Sequence, residues 1–264
     1  MTTTHPLPAR LAASAAALVL LSLGSAASAA QVHVTVSIDN LAPANSVSFA
    51  PLHLGFNNGS FDAFNIGTVA TAGIISVAEG GVGDVWQADF AAADPTATRG
   101  TIGGPLFPGG HKSASFLVDT VRNPYFTFAA MAIPSNDFFI GNDSPTKYKL
   151  FNGAGQLQIN TIKLKANEIW DAGSEVYDPA AAAFVGNNSL RTPQNSVVAF
   201  NFAEFYGFNG LTTAAGYTFN SQLTANTDIY RISFTAAAVP EPERYALMAA
   251  GLLALGALLR RRQH

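Results

Sequence analysis

Val32, Val34, Val36 and Ile38 alternate with His33, Thr35 and Ser37. That period of two places the apolar side chains on one face of an extended strand. Runs of strand length recur at 46–54, 73–78, 113–121, 125–133, 148–151, 156–164, 196–202 and 229–235. They are punctuated by Asn57-Asn58-Gly59, Gly80-Gly81, Pro108-Gly109-Gly110, Asn152-Gly153 and Gly186-Asn187-Asn188, which carry turn chemistry. Segments 148–151 and 156–164 flank a four-residue loop and predict a hairpin. No long segment shows a helical stripe; 180–183 suffices for a single turn, and 78–90 fits either class. Many strands without alternating helices predict an all-β fold, an antiparallel β-sandwich of about eight strands over residues 31–238.

The 264 residues include no Cys, which excludes a disulfide scaffold, a thiolate metal site and a Cys nucleophile. A mean hydropathy of +0.21 is high for such a chain, and much of it sits at the ends. Arg10, the Ala/Leu run 11–23 and the small residues 24–30 have the three-part layout of a secretory signal peptide, residues 1–30. At the other end, 239–264 combine Pro240-Glu241-Pro242, an apolar stretch from Tyr245 to Leu259 and Arg260-Arg261-Arg262. Fifteen residues make roughly 22 Å of helix, short of a bilayer core of about 30 Å. The Arg cluster favours the cytoplasmic side. The segment resembles the PEP-CTERM sorting signal of Gram-negative bacteria, with Pro240, Glu241 and Pro242 as the motif. That resemblance implies export across the inner membrane, transient anchoring through the short transmembrane segment and processing by an exosortase. The destination it implies is the cell surface or the exopolysaccharide (biofilm) matrix. Ala236-Ala237-Ala238-Val239 reads as a spacer to this signal.

Between the two ends lie nine basic and fifteen acidic residues, a net charge of −6. An acidic domain this poor in cations has no electrostatic footprint for nucleic acid. Its carboxylates cluster. Asp137 follows the run 125–133, while Asp171 and Glu175 follow 156–164, with Asp178 close behind. If the intervening hairpin returns the chain to the same end of the sandwich, Asp137, Asp171 and Glu175 converge. Three carboxylates on adjacent loops repel unless a hard dication such as Ca²⁺ holds them. Asp and Asn also favour loops without any metal, and neither an EF-hand spacing nor a Gly-rich calcium repeat occurs.

Two acidic stretches carry a second resemblance. Ile133-Pro134-Ser135-Asn136-Asp137-Phe138-Phe139-Ile140-Gly141 resembles the P-S-P-D-W-x-x-G segment of spondin domains, and Trp170-Asp171-Ala172-Gly173-Ser174-Glu175 resembles their W-D-A-G-T-D. The opening 34–41, Ala50-Pro51-Leu52-His53 and Ala78-Glu79-Gly80-Gly81 are similar to other stretches of bacterial members, the first histidine gap being shorter here. The resemblance implies a sandwich similar to calcium-dependent lipid-binding domains, with one Ca²⁺ held by Asp137, Asp171 and Glu175. Glu175 stands where the family often has Asp, Asn136 replaces a Pro and Phe138 a Trp. The disulfides of animal members are absent.

No Gly-x-Ser-x-Gly or His-Glu-x-x-His motif is present, and His33, His53 and His111 lie in separate runs. Glu79 and Asp84 are spaced as an acid pair in a Gly-rich loop. Trp86, Trp170, Phe56, Phe61 and Phe64 offer either sugar-stacking faces or core. Lys147, Lys149, Lys163 and Lys165, spaced i, i+2 on the two hairpin arms, can share one face as a patch for an anionic polysaccharide or lipid. The expectation is a non-catalytic calcium-binding adhesion or matrix protein with a glycan partner, the alternative being a carbohydrate-binding or carbohydrate-active matrix protein.

Overall fold

In a computed structural model, residues 31–200, 202–239, 249–253 and 260 are described. The leader 1–30 and Pro240, Glu241 and Pro242 lie outside the described residues. Among the described residues no helix is long and apolar enough to cross a membrane.

Among the described residues ten strands form two antiparallel sheets. They are β1 (Gln31–Asn40), β2 (Ser48–Phe49), β3 (Leu52–Asn57), β4 (Thr98–Ile102), β5 (His111–Asp119), β6 (Tyr125–Ile133), β7 (Phe138–Gly141), β8 (Thr161–Lys165), β9 (Ile169–Asp171) and β10 (Asp228–Ala238). One sheet has the order β5-β1-β10-β8; the other runs β4-β3-β6-β7-β9, with β2 on β6. The predicted sandwich is therefore the observed architecture. Its principal core lies between the sheets, where Val34, Val36, Ile38, Ile162, Leu164, Ile232 and Phe234 meet Leu52, Leu54, Phe56, Phe126, Phe128 and Ile140. β1 keeps its alternation in space, with Val34, Val36 and Ile38 buried and the residues between them half-exposed. Burying these branched and aromatic side chains contributes on the order of 2 kcal/mol each relative to exposure.

Strand β6 is buried on both faces. Its outer face is covered by two helices, α1 (Ala72–Gly80) and α2 (Asp84–Ala93). The strand expected at 73–78 is thus a helix. Thr71 caps it by accepting the Ile74 N–H at 3.2 Å, and Ile74, Val77 and Ala78 form a short stripe against β6 and β7. Gly81 ends it in the left-handed conformation, φ 67°, which Gly adopts without a Cβ penalty. Nine residues with one apolar stripe are too few to outweigh a strand-like composition when the chain is read locally. Phe61, Trp86 and Phe90 pack as an aromatic cluster beneath, with Phe61 stacked on Phe90 at 4.1 Å between ring centroids.

Three other expectations change. The loop 152–155 turns as predicted, with the Asn152 N–H donating to the Gln156 carbonyl, but the pairing is the single bridge Phe151–Leu157 and ends at the Gln158 N–H to Leu150 carbonyl bond. Run 196–202 makes single bridges, Val197 to Val69 and Ala199 to Asp171, in place of a strand. Ala236–Ala238 belong to β10 opposite Val34–Val32, so they close the sheet and are no spacer.

Candidate metal centre

The three carboxylates sit where two neighbouring strands end. Pro134–Asp137 connect β6 to β7, and β9 pairs with β7 so that Asp171 faces Phe138. Asp137, one residue earlier, thereby lies beside Asp171 although 34 positions separate them. The turn is held rigid. The Ser135 hydroxyl donates to the Ala132 carbonyl at 2.7 Å and accepts the Phe138 N–H at 3.0 Å. The Asn136 side chain is bonded both ways to the Asp178 backbone, each at 3.1 Å.

Asp137 is buried, and its Oδ2 accepts the Ser174 N–H at 2.6 Å, the Glu175 N–H at 3.0 Å and the Ser174 hydroxyl at 3.1 Å. Burial outweighs these donors and raises its pKa. Asp171 Oδ1 accepts the Gly173 N–H at 2.7 Å. Burial first, and the neighbouring Asp137 second, push the Asp171 carboxyl up to about 7. Two carboxyls this close in a low-dielectric site disfavour double ionisation.

Glu175 is 6% exposed. Burial pushes its carboxyl up to about 7, against the pull of Arg191 and with added repulsion from Glu79 and Asp137, the nearby Asn136 amide drawing it down a little. Its Oε1 meets Arg191 Nη1 at 3.2 Å, and its Oε2 is buried without a hydrogen-bond partner. Arg191 Nη2 also donates to the Glu79 carbonyl at 3.0 Å, while its Nε is buried and unpartnered. Asp137 and Asp171 are therefore brought together as expected, and Glu175 reaches the same cluster with its carboxylate turned to a guanidinium. Among the described residues no three His, Cys, Asp or Glu are gathered closely enough to hold a metal ion between them. Arg191 was not among the expected site residues, and Glu79 was expected only as an acid pair with Asp84. Position 191 lies in an exposed loop without local pattern, and nothing in the sequence aims it at Glu175.

The donor chemistry nevertheless fits a hard dication. All three carboxyls offer oxygen, their burial penalises unpaired charge, and the orphaned Glu175 Oε2 is a buried acceptor in need of a partner. Asp178 caps a turn by accepting the Ala180 N–H, which gives that carboxylate a structural task of its own.

The remaining residues separate by burial. Trp86, Phe56, Phe61 and Phe64 are core and present no face to a sugar. Trp170 is half-buried, packed on the α1–α2 cluster. His53 is buried between the Thr101 hydroxyl and the Gly81 carbonyl, each at 3.1 Å, and burial lowers its pKa. Lys163 and Lys165 point outward from the edge strand β8, as their i, i+2 spacing predicts. The arm with Lys147 and Lys149 bridges to Tyr125, and β8 pairs with β10, so the hairpin face expected to gather all four lysines is not built; Lys163 pairs with Asp228 and Lys147 with Glu168, both at 3.5 Å. Lys149 lies over the Tyr125 ring at 5.8 Å. An open apolar cleft of about 400 Å³, unforeseen in the sequence, is lined by Pro51, Pro105, Phe107, Ile133, Phe184 and Tyr217 among others.

No family model matches the chain, and no curated protein matches it significantly.

Proposed function

We propose that this chain is an exported, non-catalytic calcium-binding protein of the bacterial surface or its polysaccharide matrix, with a spondin-type domain between two processing signals. The observation that carries the calcium assignment is the pair of buried Asp137 and half-buried Asp171 beside the unpartnered Oε2 of Glu175. Asp137, Asp171 and Glu175 supply the oxygens; bound Ca²⁺ would neutralise a cluster that otherwise retains protons. Backbone carbonyls and water complete such shells in loop-built sites.

The topology supports an outward-facing role. Val32 pairs with Ala238, so both strands that lead to the proposed signals end at one edge of the sandwich. Ser48 and Phe49 pair with Ile133 and Ala132 beyond the opposite end of β1, about 27 Å away at 3.3 Å per residue. A tether after β10, cut by an exosortase or not, leaves the carboxylate loops facing away from the membrane.

The test is a calorimetric Ca²⁺ titration of the full chain with parallel thermal unfolding. Saturable binding that raises the melting temperature is expected, and Asp171→Ala abolishes both. Unchanged Ca²⁺ affinity in Asp171→Ala overturns the assignment.

A second reading, glycan binding, is favoured by the cleft, where Phe107 and Phe184 are 42% and 47% exposed and can stack on sugar rings. It predicts that Phe184→Ala weakens retention on matrix polysaccharide while Asp171→Ala does not.

A further inference from the structure

Residues 186–195 form a strap over the carboxylate cluster. Arg191 is the one residue in 187–194 that is not exposed. Main-chain bonds fasten the far side of the strap: Val176 N–H to the Thr192 carbonyl at 2.9 Å and Gln194 N–H to the Ser174 carbonyl at 2.6 Å. At its other end the Asn187 N–H donates to the Ala180 carbonyl at 2.7 Å, and the Asn187 side chain accepts the Ser189 N–H and hydroxyl, so 188–191 span two fastened points. Between those points the Arg191 side chain turns inward, onto Glu175 Oε1 and the Glu79 carbonyl.

We infer that Arg191 is a tethered stand-in for the cation, which Ca²⁺ must displace from Glu175 before the third carboxylate can join Asp137 and Asp171. This rests on the calcium assignment above. A buried carboxylate without a counter-charge is costly, and the guanidinium relieves that cost in the metal-free protein. A dication and a guanidinium cannot share one carboxylate without strong repulsion in a site of low dielectric. The present pair is also imperfect. Glu175 Oε2 and Arg191 Nε are both buried and unpartnered, so the contact falls short of the bidentate geometry that makes Arg–carboxylate pairs strong. A ligand that satisfies Oε2 therefore has an advantage the arginine lacks. Loss of Arg191 from Glu175 removes the inward side-chain contact of the stretch between the Asn187 and Thr192 anchors, where Leu190 is already 49% exposed, and turns a guanidinium to the rim. Cation binding is thus coupled to loosening of 188–191 between two retained main-chain anchors.

Calcium titration of the full chain in wild type, Arg191→Gln and Arg191→Lys tests this, with amide hydrogen exchange of 186–195 read alongside. Arg191→Gln should bind Ca²⁺ about tenfold more tightly or better, a competition effect worth one decade in affinity. Exchange at 187–191 should accelerate on adding Ca²⁺ to wild type, and should already be fast in metal-free Arg191→Gln. Arg191→Lys should fall between the two. Equal or weaker binding by Arg191→Gln, or slower exchange of the strap in calcium-bound wild type, overturns the inference while leaving the calcium site standing. If Arg191→Gln does not fold, the wild-type exchange response decides alone. Absence of any Ca²⁺ binding to wild type overturns both.

Discussion

Ser174 donates twice to one oxygen of Asp137, through its backbone N–H at 2.6 Å and its hydroxyl at 3.1 Å, across 37 positions of sequence. With the Glu175 N–H added, Asp137 organises the loop that carries Glu175 as well as contributing to the site itself.

Asp137→Ala removes the acceptor and leaves the Ser174 N–H, the Ser174 hydroxyl and the Glu175 N–H without it. The expected loss is roughly 2 kcal/mol or more, the scale of buried hydrogen bonds to a charged group. Equilibrium denaturation measures it, and a loss under a few tenths of a kcal/mol contradicts the structural role.

The pH dependence of the metal-free protein follows from Asp171 and Glu175. Both carboxyls are raised to about 7 in the folded chain, from ordinary values of 3.8 and 4.5. The folded state therefore binds more protons than the unfolded chain between these limits. Stability is greatest below the unfolded values, falls as pH rises toward about 7 and levels off above. Thermal unfolding across that range in a chelator should show the decline, and Asp171→Asn should flatten it. Calcium should restore stability mainly near and above pH 7, where the carboxyls are ionised.

Gly173 has φ 67°, and a Cβ there would lie 2.9 Å from the Ser196 backbone carbon and from the Val197 carbonyl oxygen. Gly173→Ala thus combines an unfavourable backbone region with contact against main chain that cannot swing aside. A cost of about 1–3 kcal/mol is expected. Because Gly173 also donates to Asp171, calcium affinity should fall with stability in the same titration.

Lys163 and Lys165 stand on the exposed face of β8, an edge strand whose outer main chain has no neighbour in the sheet order. Lysines on such strands discourage edge-to-edge pairing. The double change Lys163→Ala, Lys165→Ala should raise concentration-dependent self-association in sedimentation experiments. Salt-sensitive binding of an acidic polysaccharide that vanishes in the same variant would add a recognition role to these residues; unchanged binding would remove it.

The alternation in β1, the apolar run of β6 and the turn chemistry between strands made the sandwich legible before any coordinates, because burial between two sheets imposes a period of two. Asp137 was legible because it follows the readable run of β6; Asp171 ends β9, a three-residue strand too short to leave a local signal. Helix α1 was not legible, since its identity depends on the Thr71 cap and on β6 needing a cover for its second face. Nor was the interception of Glu175 by Arg191. Local sequence determines which face of a segment is apolar and where the chain can turn. The pairing of β7 with β9 brings two carboxylates together, and the return of an exposed loop lays a guanidinium on the third. Those contacts join residues many positions apart, and only the closed tertiary structure, in which desolvation gives such charges their energy, decides them.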